Sequence, residues 1–226
     1  MSQPHPGSHV LTANGFVLAG GRSSRMGQDK ALITLAGTPL LQHALGILRN
    51  AGLDPAIAGA RSDSSTFAPT FLDDPSQSGL GPLAGICTAL ASGTTPYAVF
   101  LPVDLPLLPA SLIAYLVHHA EITRSAITLV SVAAFVQTFP VVIDRSTLPL
   151  LQSSLHSNDR NCLRAFREAS NALSKPFSVL PVELLLQTGH VSHPRGFPPA
   201  HWFLNVNSPR DLDRAETLIS SQLQVS

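Results

Sequence analysis

The chain has 226 residues, with 14 lysines and arginines against 14 aspartates and glutamates, and 44% of its residues are hydrophobic. This balance excludes a strongly basic nucleic-acid-binding surface and a polybasic membrane anchor, and it favours small molecules or proteins as partners. The sequence has no apolar run of about 18 residues and no secretion signal at its start, so we predict a cytoplasmic protein. The length favours one domain over residues 13–222, preceded by a frayed leader over residues 1–12.

Apolar segments of strand length alternate with segments of helical periodicity along the chain. The predicted strands are residues 15–19, 55–60, 69–73, 97–103, 126–132, 139–143, 177–180 and 203–206. The predicted helices are residues 38–52, 82–92, 110–121, 146–155, 160–170 and 208–218. Because strands that alternate with helices usually pair in parallel through right-handed crossovers, we expect an α/β fold. The sheet should be doubly wound and mostly parallel, with helices on both faces.

The first predicted strand leads directly into a glycine-rich loop that also carries cationic side chains. Gly20 and Gly21 can adopt positive φ and have no Cβ, so successive backbone N–H groups can converge on an anion. Arg25 and Lys30 add positive charge at the same place. The spacing matches neither the Walker P-loop nor the dinucleotide-binding Gly-x-Gly-x-x-Gly pattern. The loop therefore predicts phosphate binding of another type.

Asp104 stands in an apolar segment, Leu101-Pro-Val-Asp-Leu-Pro, where an unpaired carboxylate would be costly. A Mg²⁺ ion would compensate it, because this ion binds through one or two carboxylates together with substrate phosphates. The other interpretation is that Asp104 caps the helix that starts near Pro109, or accepts backbone N–H groups in a turn. Beside a phosphate-binding loop, we favour the metal site.

Two further polar segments follow predicted strands. Asp74 precedes a glycine-containing lead into a helix whose free N–H groups can bind anions, although such residues also occur in ordinary turns. Asn205 and Asn207 would share one face of a predicted strand, where their amide oxygens could complete a magnesium shell or hold a ligand hydroxyl. Asn207 fits an Asx turn equally well. Since ligands bind at the carboxyl ends of parallel strands, we expect the loop, Asp74 and Asp104 to share one crevice.

Other catalytic motifs are missing from the sequence. Neither the Gly-x-Ser-x-Gly nucleophile elbow nor the zinc-binding His-Glu-x-x-His motif occurs, which argues against those two chemistries. Cys87 and Cys162 form no Cys-x-x-Cys pair, and both fall in predicted helices. This placement favours buried thiols over a metal or redox site.

Four segments in this order resemble the molybdenum cofactor guanylyltransferase family, within the Rossmann-like nucleotidyltransferases. The resemblance covers about residues 15–216. It is carried by Leu18-Ala-Gly-Gly-Arg-Ser-Ser-Arg-Met-Gly-Gln-Asp-Lys30, by Asp74 before Gly81-Pro-Leu-Ala-Gly85, by Asp104-Leu-Pro-Leu-Leu-Pro109, and by Phe203-Leu-Asn-Val-Asn-Ser-Pro-Arg-Asp-Leu212. The first segment alone would indicate only some nucleotidyltransferase, whereas the four together indicate this family.

The resemblance implies an enzyme that transfers GMP from GTP to the terminal phosphate of molybdopterin, with Mg²⁺ as its cofactor, and releases pyrophosphate. It implies that the nucleotide pocket is lined by Leu18, Ala19, Gly20 and Gly21, and that Asp74 contacts the nucleotide. Arg25 and Lys30 would hold the triphosphate, and Asp104 would bind Mg²⁺. Asn205 and Asn207 would face the reacting phosphates or the pterin. The implied partners are GTP, molybdopterin, and a molybdoenzyme apo-protein or other cofactor-biosynthesis proteins, without nucleic acid or membrane.

Two departures from the family pattern keep related activities open. Ala58-Gly-Ala-Arg61 lacks the asparagine that the family commonly places before an arginine, and Phe139-Pro140 replaces a His-Pro pair. Residues 189–200 look like additional material. The alternatives are a molybdenum cofactor cytidylyltransferase, another nucleotidyltransferase acting on a phosphorylated alcohol, or a non-catalytic nucleotide-binding accessory protein. Retention of both Lys30 and Asp104 argues against the accessory protein.

Overall fold

A computed structural model describes residues 13–19, 29–59, 67–71, 81–155 and 161–223. The predicted leader over residues 1–12 and the segment 20–28 of the glycine-rich loop lie outside these ranges. The strands are β1 (Ala13–Leu18), β2 (Thr34–Leu35), β3 (Thr38–Pro39), β4 (Pro55–Ala58), β5 (Thr70–Phe71), β6 (Tyr97–Pro102), β7 (Ile127–Val132), β8 (Phe135–Asp144) and β9 (Phe177–Pro181). The helices are α1 (Leu40–Asn50), α2 (Pro82–Ser92), α3 (Ala110–Thr123), α4 (Leu148–Leu155), α5 (Cys162–Ala172), α6 (Val182–Gln187), α7 (Pro199–Trp202) and α8 (Pro209–Leu223). Over the described ranges, none of these helices has both the length and the apolar character needed to span a bilayer.

Seven strands form one sheet in the order β5-β4-β1-β6-β8-β7-β9. β1 pairs in parallel with β4 and with β6, and the β4–β5 and β7–β9 pairs are parallel too. β8 runs antiparallel to both of its neighbours. The predicted α/β fold with a mostly parallel sheet and helices on both faces is therefore confirmed, with β8 as the reversed strand.

The central strands bury side chains on both faces of the sheet. Val17 of β1 and Val99 of β6 belong to the core that contains the buried side chains of α1 and α3. Phe16 precedes Val17 and Phe100 follows Val99. Both phenylalanines belong to the core on the opposite face of the sheet, with α2 and α5. Their rings stack with centroids 5.4 Å apart. Strands buried on both faces read as continuous apolar runs, which is why these two were recognisable in the sequence.

The start of α1 differs from the prediction by two residues. Thr38 and Pro39 pair with Leu35 and Thr34 as a short antiparallel ladder, and the helix begins at Leu40. The turn of this ladder places Ala36 and Gly37 at positive φ. Pro39 is consequently held in an extended conformation, with ψ of 142°, and serves as the residue before the helix rather than as its first helical position.

Two elements near the end of the sheet were missed or shortened by the sequence pattern. β8 begins at Phe135 instead of residue 139, because a tight turn with Ala133 and Ala134 at positive φ joins it to β7. Alanine gives no turn signal of the kind that Asn-Gly gives. The six-residue helix α6 was not predicted, since one and a half turns are too short to show a clear helical period.

Both cysteines are buried free thiols, as predicted. Burial raises the pKa of Cys87 to about 12 and the pKa of Cys162 to about 11. Because the thiolate is the reactive form, we expect neither thiol to react with Ellman's reagent at pH 8 while the protein is folded. Both should react when guanidinium chloride unfolds the chain. Stoichiometric labelling of either cysteine before unfolding would contradict this prediction.

Candidate active site

The carboxyl ends of β1 and β6 lie side by side, with Leu18 paired opposite Pro102. In open α/β sheets, ligands bind at this edge. Asp104 follows β6 here, and its backbone oxygen accepts a hydrogen bond of 2.9 Å from the N–H of Val206. The segment that carries Asn205 and Asn207 is thereby fixed to the same edge of the sheet.

Three chain segments meet at the side chain of Lys30. Its Nζ donates to Asp104 Oδ2 at 2.8 Å and to Asn207 Oδ1 at 2.5 Å. The side chains of Lys30 and Asp104 are 18% and 21% exposed, so the ion pair is partly withdrawn from solvent but still open on one side. We call Lys30, Asp104 and Asn207 the edge cluster.

A short 3-10 turn, Lys30–Leu32, presents Lys30 to this edge. The carboxylate of Asp29 caps the turn by accepting a hydrogen bond of 3.0 Å from the N–H of Ala31. The methyl group of Ala31 is only 2% exposed and anchors the turn in the core. The backbone at Lys30 is thus fixed on both sides, whereas its long side chain extends into the cluster.

The structure corrects the predicted strand over residues 203–206. These residues are irregular, and Asn205 and Asn207 are exposed on either side of the buried Val206. They pair with no strand of the described ranges, because the backbone N–H of Val206 bonds to the turn after β6 and the chain then enters α8 directly. The premise that a strand aligns the two asparagines is therefore wrong.

Asn207 and Asn205 consequently occupy different surroundings. Asn207 joins the edge cluster, whereas the side-chain amide of Asn205 donates to the backbone oxygen of Phe203 at 3.4 Å. Of the two predicted asparagines, the structure brings Asn207 to Lys30 and Asp104.

The start of α8 holds Asn207 in place. The carboxylate of Asp211 accepts hydrogen bonds from the N–H of Asn207 at 3.1 Å and from the hydroxyl of Ser208 at 2.7 Å. The N–H of Asp211 donates back to the Ser208 hydroxyl at 3.3 Å. This reciprocal cap belongs to the first turn of the helix. Ser208 and Asp211 have the residue types and spacing typical of a helix start, but this local pattern does not indicate that the cap holds Asn207 beside Lys30.

We therefore expect Asp211 to position Asn207, and Asp211→Ala should raise the KM for nucleotide severalfold, because the cap that holds Asn207 beside Lys30 is lost. Asp211→Asn keeps an acceptor oxygen and should stay near the parent value. Steady-state kinetics of both variants measure the KM. Asp213→Ala, on the exposed side of α8, is the matched control. An unchanged KM for Asp211→Ala would contradict the positioning role.

The hydrogen bond from Ser208 lowers the pKa of Asp211, as do the N–H of Asn207 and, more weakly, the charge of Lys30. A carboxyl group with a lowered pKa stabilises the folded form above its ordinary pKa and loses this effect as the pH falls through the lowered value. The contribution of this cap is therefore complete at neutral pH.

The structure also decides against a capping role for Asp104. Helix α3 begins at Ala110 after Pro109, and no side chain in the described part of the chain caps its N-terminus. The carboxylate of Asp104 instead meets the Lys30 ammonium. The negative charge of Asp104 is therefore balanced by a cation of the protein itself, the Lys30 ammonium.

The remaining predicted site residues lie at the end of β1 or outside the described ranges. The side chain of Leu18 is 7% exposed and packs in the core, so it would reach a ligand only through its backbone. The N–H of Ala19 donates to Ala58 O at 3.0 Å. Four predicted residues fall outside the described ranges, namely Gly20, Gly21, Arg25 and Asp74.

The oxygens of the edge cluster suit a hard divalent cation. Asp104 supplies a carboxylate and Asn207 an amide oxygen, both of the type that Mg²⁺ binds in proteins. Within the described part of the chain, no group of three or more His, Cys, Asp or Glu side chains is placed to hold a metal. A cation at Asp104 would therefore have to complete its shell with water or substrate oxygens, as Mg²⁺ commonly does with phosphates.

Comparison with known proteins identifies the family of the chain. The sequence model of the MobA-like NTP transferase domain matches residues 15–173. A molybdenum cofactor guanylyltransferase of Aliivibrio salmonicida (strain LFI1238) is 30% identical over 213 residues, which cover 91% of this chain and 96% of that protein. A molybdenum cofactor guanylyltransferase of Xanthomonas euvesicatoria pv. vesicatoria (strain 85-10) is 43% identical over 109 residues, which cover 47% of this chain and 54% of that protein.

Solved structures share the fold. Molybdopterin-guanine dinucleotide biosynthesis protein A from Archaeoglobus fulgidus has a TM-score of 0.73 at 22% identity, over 92% of this chain and 99% of that one. Rv0371c from Mycobacterium tuberculosis, in its complex with manganese, has a TM-score of 0.60 at 20% identity, over 91% of this chain and 98% of that one. The matched family model and the identity to a relative along nearly its whole length establish membership. The chain is a nucleotidyltransferase of the MobA-like NTP transferase family, which includes the molybdenum cofactor guanylyltransferases.

Proposed function

We propose that this nucleotidyltransferase transfers GMP from GTP to the terminal phosphate of molybdopterin, forming the guanine dinucleotide and pyrophosphate. The observation that carries the proposal is the edge cluster, in which a lysine and a carboxylate meet at the carboxyl ends of β1 and β6. The relative from Aliivibrio salmonicida, matched over nearly its whole length, is a molybdenum cofactor guanylyltransferase. This similarity supports the choice of GTP and molybdopterin.

In the proposed reaction, an oxygen of the acceptor phosphate attacks the α-phosphorus of GTP. A new P–O bond forms there, the bond from the α-phosphorus to the oxygen bridging to the β-phosphate breaks, and that oxygen leaves with pyrophosphate. A phosphate monoester is already ionised at neutral pH, so the attack needs no general base from the protein. Reactions of this type depend on positioning and on neutralising the charge of the phosphates.

Lys30 would supply one positive charge for the triphosphate, and we propose that Arg25 supplies a second. A Mg²⁺ ion held by Asp104, with Asn207 beside it, would supply further charge neutralisation on the phosphate oxygens. The manganese complex of the Mycobacterium tuberculosis protein supports a divalent cation on this fold. We propose that Leu18, Ala19, Gly20, Gly21 and Asp74 line the nucleotide pocket.

The proposal is tested by measuring pyrophosphate release when the purified protein meets Mg²⁺, GTP and molybdenum-loaded molybdopterin. We expect release that depends on both substrates, with the dinucleotide detected by mass spectrometry. Parallel reactions with CTP separate the guanylyltransferase from the cytidylyltransferase alternative. Release with CTP but not with GTP would contradict the choice of base, and no release with either nucleotide would contradict the proposed acceptor.

A further inference from the structure

The contacts of Lys30 suggest a second role for this residue, which rests on the proposed function for the identity of the nucleotide. We propose that Lys30 is a built-in counter-ion that occupies the position of the divalent cation until a nucleotide arrives. The triphosphate then draws the Lys30 ammonium away from Asp104 and Asn207. Lys30 would therefore oppose binding of the metal alone while favouring binding of the nucleotide.

The Lys30 ammonium and a divalent cation would compete for the same oxygens. Asp104 Oδ2 and Asn207 Oδ1 both lie within 2.8 Å of Lys30 Nζ. A hard divalent cation would use these same carboxylate and amide oxygens as ligands. Two cations at one pair of oxygens repel each other, and the repulsion is strong where the site is partly withdrawn from water. A metal bound to these two oxygens therefore excludes the hydrogen bonds that the ammonium makes to them.

The side chain of Lys30 can leave Asp104 and Asn207 without disturbing the fold. The 3-10 turn keeps its backbone in place through the Asp29 cap and the buried Ala31. The side chain itself is a flexible stem with a compact charge at its end, and it is 18% exposed. A triphosphate offers this ammonium more negative charge than the single carboxylate of Asp104 does. Movement of one side chain is therefore sufficient to release the oxygens.

Replacing Lys30 with a neutral residue should change the affinity for a divalent cation in a defined direction. Removing the ammonium leaves the Asp104 carboxylate, which is only 21% exposed, without its positive partner among the described residues. A carboxylate without a neighbouring positive charge attracts another cation more strongly. Lys30→Met should therefore bind a divalent ion more tightly than the parent protein in the absence of nucleotide. Its effect on nucleotide affinity should be the opposite.

The test is a Mn²⁺ titration followed by electron paramagnetic resonance, with Mn²⁺ alone as the probe and no nucleotide present. We expect Lys30→Met to bind Mn²⁺ about tenfold more tightly than the parent, as removal of one adjacent like charge predicts. Lys30→Arg keeps the charge and should bind Mn²⁺ as weakly as the parent. Lys30→Gln is the second neutral variant, in case Lys30→Met does not fold, and circular dichroism checks the fold of each.

Adding Asp104→Asn to either neutral variant should abolish the gain in Mn²⁺ affinity. Equal or weaker Mn²⁺ binding by the folded neutral variants would overturn the inference, and so would a gain that persists without the Asp104 carboxylate. The proposed function fails separately, because it is tested by pyrophosphate release from the parent protein. A parent that makes the dinucleotide while its neutral variants gain no Mn²⁺ affinity would contradict only the counter-ion role.

Discussion

Asp104→Asn is expected to lower kcat about 1,000-fold, the scale seen when a group that neutralises developing charge is removed. The substitution preserves the size of the side chain and one oxygen, but it removes the negative charge that meets Lys30 at 2.8 Å. A neutral amide holds a hard cation far less well than a carboxylate does. Initial rates of pyrophosphate release under saturating substrates measure this effect.

The control for this prediction is an aspartate at the other end of the sheet. Asp54 is exposed and directly precedes β4, so it lies at the amino edge of the parallel strands. Asp54→Asn should retain the parent kcat, and both variants should melt cooperatively near the parent temperature. An Asp104→Asn enzyme that turns over at the parent rate would remove this carboxylate from the mechanism.

Lys30→Ala is expected to weaken GTP binding about 10- to 100-fold, because a hydrogen bond to a charged group contributes roughly 1.5–3 kcal/mol. The ammonium is the described cation of the edge cluster, and in the proposed reaction the triphosphate is the substrate group with the highest negative charge. Isothermal titration calorimetry with GTP and Mg²⁺ measures the affinity directly. The loss should shrink at high salt, since screening weakens the interaction between the exposed part of the site and the phosphates.

The matched control is the other lysine paired with an aspartate. Lys175 Nζ lies 2.5 Å from Asp144 Oδ2, and Asp144 pairs with Tyr97 at the start of β6, so this ion pair is at the opposite edge of the sheet. Lys175→Ala is expected to leave GTP affinity unchanged while lowering the melting temperature. Equal losses of affinity in the two variants would show that the effect of Lys30 is not specific to phosphate.

The sequence predicted the central sheet well because β1 and β6 are continuous apolar runs that are buried on both faces. We also expected the loop after β1, Asp74 and Asp104 to share one crevice, since parallel strands bring their carboxyl ends to one edge. The described residues show the contact between Lys30 and Asp104 at that edge, whereas residues 20–28 and Asp74 lie outside the described ranges. The chemical roles of these residues stay predictions until the substitutions above are measured.

The rest of the candidate site depends on contacts between residues that are distant in sequence, which no local sequence pattern indicates. Asn207 lies 177 positions from Lys30, and its place is set by the Asp211 cap and by packing of residues 203–207 against the turn after β6. The strand propensity of Phe203-Leu-Asn-Val206 suggested a ladder, yet no strand among the described residues pairs with it. Tertiary contact overrode the local preference, as is common for short segments.

The most direct test of the account is a crystal structure with Mn²⁺ and a non-hydrolysable GTP analogue, with the metal located by its anomalous scattering. We predict an anomalous peak about 2.1 Å from a carboxylate oxygen of Asp104, and Lys30 Nζ in contact with the triphosphate. A nucleotide and metal bound away from the carboxyl ends of β1 and β6, with Lys30 still joined to Asp104, would contradict it.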